Sequence, residues 1–200
     1  MSSGLSPMKR GEWLTAFQRA GIEEVYYLAS ISNVHSIIAH GILPLDEIRR
    51  RNIAHIDISA ESVQSRREMR GLHSWTPLYF AYKTPMSYVL RDKREELCLA
   101  AIGTKEVVDL SESLLYSDGN AASAATKILL EPQRLADRLP LDVIRAPRWV
   151  DFAGGRRKRS AELLVAPNVP PEALKTIFVS TRENKECVDE ALFENGCRER

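Results

Sequence analysis

The chain has 200 residues, 44% hydrophobic and 28% charged, with 28 Lys and Arg against 27 Asp and Glu and a formal net charge of +1. That length suits one domain with a real core, the composition is that of a soluble globular protein, and so even a charge excludes a histone-like mode of DNA binding. No apolar stretch nears the ~20 residues that span a bilayer, and the start lacks the apolar core of a secretory signal, so the expected location is the cytoplasm.

In chain order, residues 8–21 place Trp13, Leu14, Ala16 and Phe17 ahead of Gly21, an amphipathic helix with a glycine stop. Residues 1–20 read as an accessory segment on a single domain covering 1–200. Val25 to Ala29 is β-rich and predicts the first strand, and Ser32-Asn33 offers a cap to a helix from Val34 to Ala39, closed by His40-Gly41. Residues 44–60 lack a clean period, with a short helix expected at Leu45 to Arg51, and Ser62 to Arg70 reads as another. Trp75 to Tyr79 predicts a strand, followed by an apolar segment from Tyr82 to Leu90 that packs against it. Leu97 to Ile102 and Val107 to Leu110 are expected strands. Tyr116 to Ala122 predicts a turn, then a helix start capped by Asn120. Leu135 to Ile144 reads as a helix start or loop, and Phe152 to Gly155 as flexible. Strands at Glu162 to Val165 and Thr176 to Val179, a short helix at Pro171 to Leu174 and a terminal helix within 184–200 complete the chain. Strands mixed with short helices predict an α+β domain on a split antiparallel sheet.

Glu162 stands between the cations Arg156, Arg157, Lys158 and Arg159 and the apolar run Leu163-Leu164-Val165. A carboxylate at a strand mouth is costly to bury unless paired or used, so it either pairs locally with an arginine or faces a cleft. Other cations cluster at Arg49 to Arg51, at Arg66, Arg67 and Arg70, and at Arg145 and Arg148. Local patches of this kind steer polyanions, although a charge run is also an ordinary solvated face. Cys98, Cys187 and Cys197 have no paired spacing, and His35, His40, His55 and His73 form no ligand pattern, so no metal is expected.

Five stretches, Tyr26 to Gly41, Val63 to Arg67, Trp75 to Tyr88, Ser117 to Ala122, and Lys158 to Val165 followed by Val169-Pro170, resemble the DarT toxins in order. The resemblance implies an ADP-ribosyltransferase-like split antiparallel sheet with short peripheral helices. It implies NAD as co-substrate, without a metal, and transfer of ADP-ribose to thymine or guanine in single-stranded DNA. A DarG-like macrodomain antitoxin that removes the group is implied as partner. Glu162 and Arg67 fall on the family's catalytic positions. Tyr27, Leu28, Ala29, Ser36, Pro44 and Arg67 fall on its NAD side, and Asn120, Arg148, Trp149, Arg156, Arg157 and Arg159 on its DNA side. A segment covering NAD corresponds to residues 45–66, and the substrate-recognising loop to 120–162. The chain departs from many relatives in having Tyr27-Leu28-Ala29 in place of a His-x-Thr, in Asn120 where some carry histidine, and in ending without a Trp-Tyr-Tyr strand.

Breaking the nicotinamide–ribose bond builds positive charge on the sugar, and a carboxylate facing it lowers the barrier. The Arg67 guanidinium is an awkward free base and better suited to orienting the acceptor or stabilising its anion. Two other readings fit the same residues: an ADP-ribosyltransferase acting on RNA or protein, and an inactive single-strand-binding module whose Trp75, Tyr79, Trp149 and Phe152 stack bases.

Overall fold

The structure is a computed structural model that describes residues 5–196; Cys197 and the chain ends fall outside the described residues. Helix α1 (Pro7–Ala20) begins at a Ser6 cap and stops at Gly21, whose left-handed backbone (φ 58°) turns the chain back. It buries Trp13, Ala16, Phe17 and Ala20 in the main core, each large side chain contributing about 1.5–3 kcal/mol by burial.

The strands are β1 (Glu24–Ser30), β2 (Thr76–Tyr79), β3 (Leu97–Gly103), β4 (Ser113–Ser117), β5 (Ile128–Leu129), β6 (Glu162–Ala166) and β7 (Leu174–Phe178). They form one antiparallel sheet in the order β5-β4-β6-β2-β1-β3-β7. Its two halves meet where β1 pairs with β2 through Tyr26 and Tyr79, whereas β1 and β3 pair along seven positions from Glu24–Gly103 to Ser30–Leu97. The sheet is therefore split at its centre, as the sequence led us to expect. β6 lies between β2 and β4, and Glu162 to Val165 are all buried. Cover on both faces explains a continuous apolar run where a half-exposed strand would alternate.

The remaining helices are α2 (Val34–His40), α3 (Leu45–Arg51), α4 (Glu61–Met69), α5 (Pro85–Val89), α6 (Thr104–Leu110), α7 (Leu135–Arg138), α8 (Leu141–Arg145), α9 (Gly155–Arg159) and α10 (Arg182–Glu194). Several expectations need correcting. Val107 to Leu110 is helical, because Thr104, Val107 and Val108 bury one face at helical spacing while Lys105 reaches Asp109 at 2.9 Å on the other. Asn33 does not cap α2; its amide is committed to the backbone of Ile56 instead. Tyr116 and Ser117 belong to β4, and no helix follows Asn120, since the small residues 121–125 offer no large apolar face to hold one. Phe152 to Gly155 is a hydrogen-bonded turn running directly into α9. Among the described residues, no helix is long and apolar enough to cross a membrane.

Candidate active site

The split in the sheet opens into a cleft of about 1290 Å³. Tyr27 from β1, Tyr79 from β2, Glu162 from β6 and Arg67 from α4 line it together. Register accounts for part of this: Tyr79 is the direct partner of Glu162 across β2 and β6.

Glu162 is 2% exposed. Its Oε2 accepts from Arg67 Nη1 at 2.8 Å, and its Oε1 accepts from the backbone N–H of Ala121 at 2.9 Å. Its own N–H donates to Ser117 Oγ at 3.0 Å, and that hydroxyl donates to the Gly119 carbonyl at 2.6 Å. The carboxylate is thus oriented by the turn after β4 as well as by the arginine. Of the two readings left open for Glu162, pairing with a neighbouring arginine does not hold and placement on a cleft does: its ion pair is with Arg67, 95 positions away, at the cleft floor.

Arg67 is 7% exposed and is the only buried residue of α4, an otherwise polar helix. Burial works against its charge, but the Glu162 carboxylate outweighs that and holds its pKa above the ordinary arginine value. The other terminal nitrogen, Nη2, is buried and has no hydrogen-bond partner. An unsatisfied buried donor of this kind costs ~1–3 kcal/mol and marks where a ligand acceptor would be welcome. Burial also raises the pKa of Tyr27, with Asp57 adding to it, and burial followed by the Glu162 charge raises that of Tyr79. Both remain neutral phenols at physiological pH.

Over the cleft lies the strap 52–60 between α3 and α4, contributing His55 to Ala60 to its lining. Asn33 grips it: Nδ2 donates to the Ile56 carbonyl and Oδ1 accepts from the Ile56 N–H, both at 2.9 Å. Burial lowers the pKa of His55, partly offset by Asp57.

The anticipated NAD-side positions Tyr27, Leu28 and Ala29 line the cleft, whereas Ser36 and Pro44 are not part of its lining. Among DNA-side positions, Asn120, Trp149, Arg156 and Arg157 line it, and Arg148 does not. The basic run divides sharply. Arg157 is bound to Asp118 at 2.9 Å and to Thr126, and Arg159, 4% exposed, gives Nε and Nη1 to the carbonyls of Lys83, Val143 and Ala146 at 2.7–2.8 Å. Both hold the loop together. Arg66 and Arg156 are exposed on the cleft and make no ion pair among the described residues. Sequence reasoning named Tyr79 only as a base-stacking ring of an inactive module, not beside Glu162, and missed Ser117, the Ala121 N–H and Asn33. The alignment of two strands could have flagged Tyr79; the others depend on loop geometry. Among the described residues, no group of three or more His, Cys, Asp or Glu could hold a metal ion.

The family model described as "ssDNA thymidine ADP-ribosyltransferase, DarT" matches residues 26–200. A "DNA ADP-ribosyl transferase-DNA ADP-ribosyl glycohydrolase fusion protein" of Thermosipho africanus is 32% identical over 167 residues, 80% of this chain and 43% of that protein. A "DNA ADP-ribosyl transferase" of Thermus aquaticus is 27% identical over 169 residues, covering 78% and 74%. The chain spans less than half the length of the Thermosipho protein. Among solved structures, Thermosipho africanus DarTG in complex with ADP-ribose aligns with a TM-score of 0.73 at 29% identity, over 86% of this chain and 48% of that one. Thermus sp. 2.9 DarT in complex with ADP-ribosylated ssDNA aligns with a TM-score of 0.77 at 19% identity, over 90% and 92%, a likeness of fold.

Proposed function

This chain belongs to the DarT family, and from that premise we propose that it transfers ADP-ribose from NAD to thymine in single-stranded DNA, releasing nicotinamide. The observation that carries the reading is the buried Glu162–Arg67 pair at the cleft floor, 2.8 Å apart, with Arg67 Nη2 still lacking a partner. The family description supports thymine over guanine.

Glu162 faces the sugar as the bond from ribose to nicotinamide lengthens and positive charge grows on the ring. Nicotinamide leaves with the bonding electrons. In a nucleotide, thymine has one ring nitrogen free of the sugar, N3, and it carries a proton. Arg67 Nη2 stabilises the anion formed as that proton is released to solvent, and the nitrogen closes the new bond to the ribose carbon, so that NAD and thymine yield ADP-ribosylated thymine, nicotinamide and one proton. Because Glu162 raises the Arg67 pKa, the guanidinium acts as a fixed cation rather than a free base. Tyr27, Leu28 and Ala29 line the NAD side, and the strap gripped by Asn33 covers it; Asn120, Trp149 and Arg156 line the DNA side. Closing both substrates into one cleft contributes proximity.

We read residues 1–200 as one catalytic domain with α1 as an accessory support. A DarG-like macrodomain is the expected partner, since the Thermosipho relative is named as a fusion of the transferase to a DNA ADP-ribosyl glycohydrolase. The cytoplasm, where NAD and DNA meet, is the proposed site of action. The test is incubation with NAD and mixed single-stranded oligonucleotides, then mass spectrometry. Addition of one ADP-ribose to a thymine is expected; label on RNA or protein instead, or no label on any acceptor, would overturn the reading.

A further inference from the structure

At the rim of the cleft, Trp149, which lines it, meets a second aromatic ring, Tyr88, that the chemistry above does not use. α5 is opened by a reciprocal cap, Ser87 N–H donating to Thr84 Oγ1 at 3.1 Å and Thr84 N–H donating to Ser87 Oγ at 3.0 Å, which fixes the direction of the next side chain. That side chain, Tyr88, is 57% exposed. Its ring meets Trp149 edge-on, centroids 5.9 Å apart at 82°, and the Arg91 guanidinium lies 4.6 Å from the Tyr88 centroid while donating to the Tyr88 carbonyl at 2.9 Å.

Trp149 is equally fixed. The Arg159 guanidinium, locked by its three carbonyls, sits 5.8 Å from the Trp149 ring centroid. The Gly155 backbone approaches so closely that an added Cβ would come within 1.7 Å of the Trp149 carbonyl oxygen. Val89 and Val150, both exposed, continue the apolar surface into the cleft lining. Two rings held rigid, Tyr88 exposed and Trp149 half-buried, continuous with the cleft and flanked by the exposed cations Arg91 and Arg148, each in a long ion pair with an exposed neighbour (Asp92 at 3.9 Å, Asp151 at 3.8 Å), have the chemistry that takes a nucleobase: a π-face for the ring and positive charge for its phosphate.

We propose that Tyr88 and Trp149 form a stacking subsite for the nucleotide next to the acceptor thymine, with Tyr88 as its binding residue. This deepens the reading of transfer to single-stranded DNA and rests on it. Every base presents a π-face, so the subsite holds the strand without choosing its sequence.

The experiment compares wild type, Tyr88→Ala and Tyr88→Phe on oligonucleotides with one thymine, whose neighbouring nucleotide is intact or abasic on either side. An abasic neighbour on one side slows the wild type on the order of tenfold, the loss of one base–aromatic stack. Tyr88→Ala is slowed by a similar factor on the intact strand and is insensitive to the abasic site, and Tyr88→Phe, which keeps the ring, restores both rate and sensitivity. NAD affinity by calorimetry stays constant, since Tyr88 is outside the cleft floor. Full activity of Tyr88→Ala, or losses from the variant and the abasic site that multiply, would overturn the subsite while leaving the transfer reading intact. Wild type that labels no strand at all would fail the transfer reading itself.

Discussion

The floor of the cleft and the wall proposed to receive DNA are built on opposite plans. On the floor, Glu162 and Arg67 are nearly inaccessible, sit on a central strand and a helix, and are braced by each other and by Ser117 and Ala121 at the end of β4 and its turn. On the wall Val150 and Arg156, and at its rim Tyr88 and Arg148, are exposed on short helices and turns. Groups that must meet developing charge need fixed orientation in a dry place, whereas groups that receive a flexible polymer need access. The contrast teaches that the same basic run serves both plans: Arg157 and Arg159 are structural, and Arg156 is left for a ligand.

The largest break in this comparison is expected at the floor. Glu162→Gln keeps the size of the side chain but leaves Arg67 as an unpaired buried cation, so transfer falls at least roughly a hundredfold and stability drops by about 3–5 kcal/mol. Oligonucleotide labelling and urea titration measure the two; a variant as active as wild type would remove Glu162 from the mechanism. Arg67→Ala and Arg66→Ala separate the floor from its surroundings. The first is expected to lose DNA labelling by about a hundredfold or more with NAD still bound, and the second to retain both stability and most activity. Equal losses would reduce the pair to a common anion-binding patch.

A smaller effect is expected at the strap. Asn33→Ala removes both bonds to Ile56, each worth about 1 kcal/mol, so NAD affinity falls several-fold and amide exchange at Ile56 quickens; unchanged exchange would show that the strap is held elsewhere. On the wall, Arg156→Ala lowers the slope of log affinity for single strands against log salt by about 0.7, while Arg159→Ala costs stability. A slope change from Arg159 and none from Arg156 would invert the division proposed for the run.

The smallest effect is a pH dependence from His55. Burial depresses its folded pKa below the ordinary 6.5, so the unfolded chain takes up the proton first. The stability present above 6.5 is lost as pH falls through that value toward the folded one. Thermal melts from pH 7.5 to 5 should flatten in His55→Gln by the His55 share; an identical pH profile would place that sensitivity in other groups.

Much of this was legible in the sequence where side-chain period and breakers act locally. α1 with its Gly21 stop, β1, β3 and β6 follow from spacing, caps and breakers, and α3 and α10 were expected at their places without a clean period to argue from. α6 misled because Val107 and Val108 favour strands in isolation, yet their spacing from Thr104 makes a helix face. Glu162 and Arg67 came from motif positions, but their contact joins residues 95 apart and depends on β6 lying beside β2. Ser117, Ala121 and Asn33 act through loop backbone, which leaves no periodic trace. Arg159 could not be told from Arg156 in a run of cations, because burial of a guanidinium is decided by which carbonyls the fold brings near.

The segment between β4 and β6, proposed to meet the acceptor, pairs its own β5 back onto β4 and is closed at a narrow neck, where Asn120 N–H donates to the Arg157 carbonyl at 2.9 Å and Asp118 holds the Arg157 guanidinium. A segment pinned at its neck is a natural unit for transplantation into a related scaffold, because its ends are already brought together. The middle of this one, however, leans on α1: Leu135, Leu139 and Ile144 share a core with Trp13 and Phe17, and Arg145 donates to the Ala20 carbonyl. α1 lies outside the residues matched by the family. A graft of residues 121–156 alone would therefore arrive without its footing, and a chimera that redirects the acceptor must carry the first helix with it.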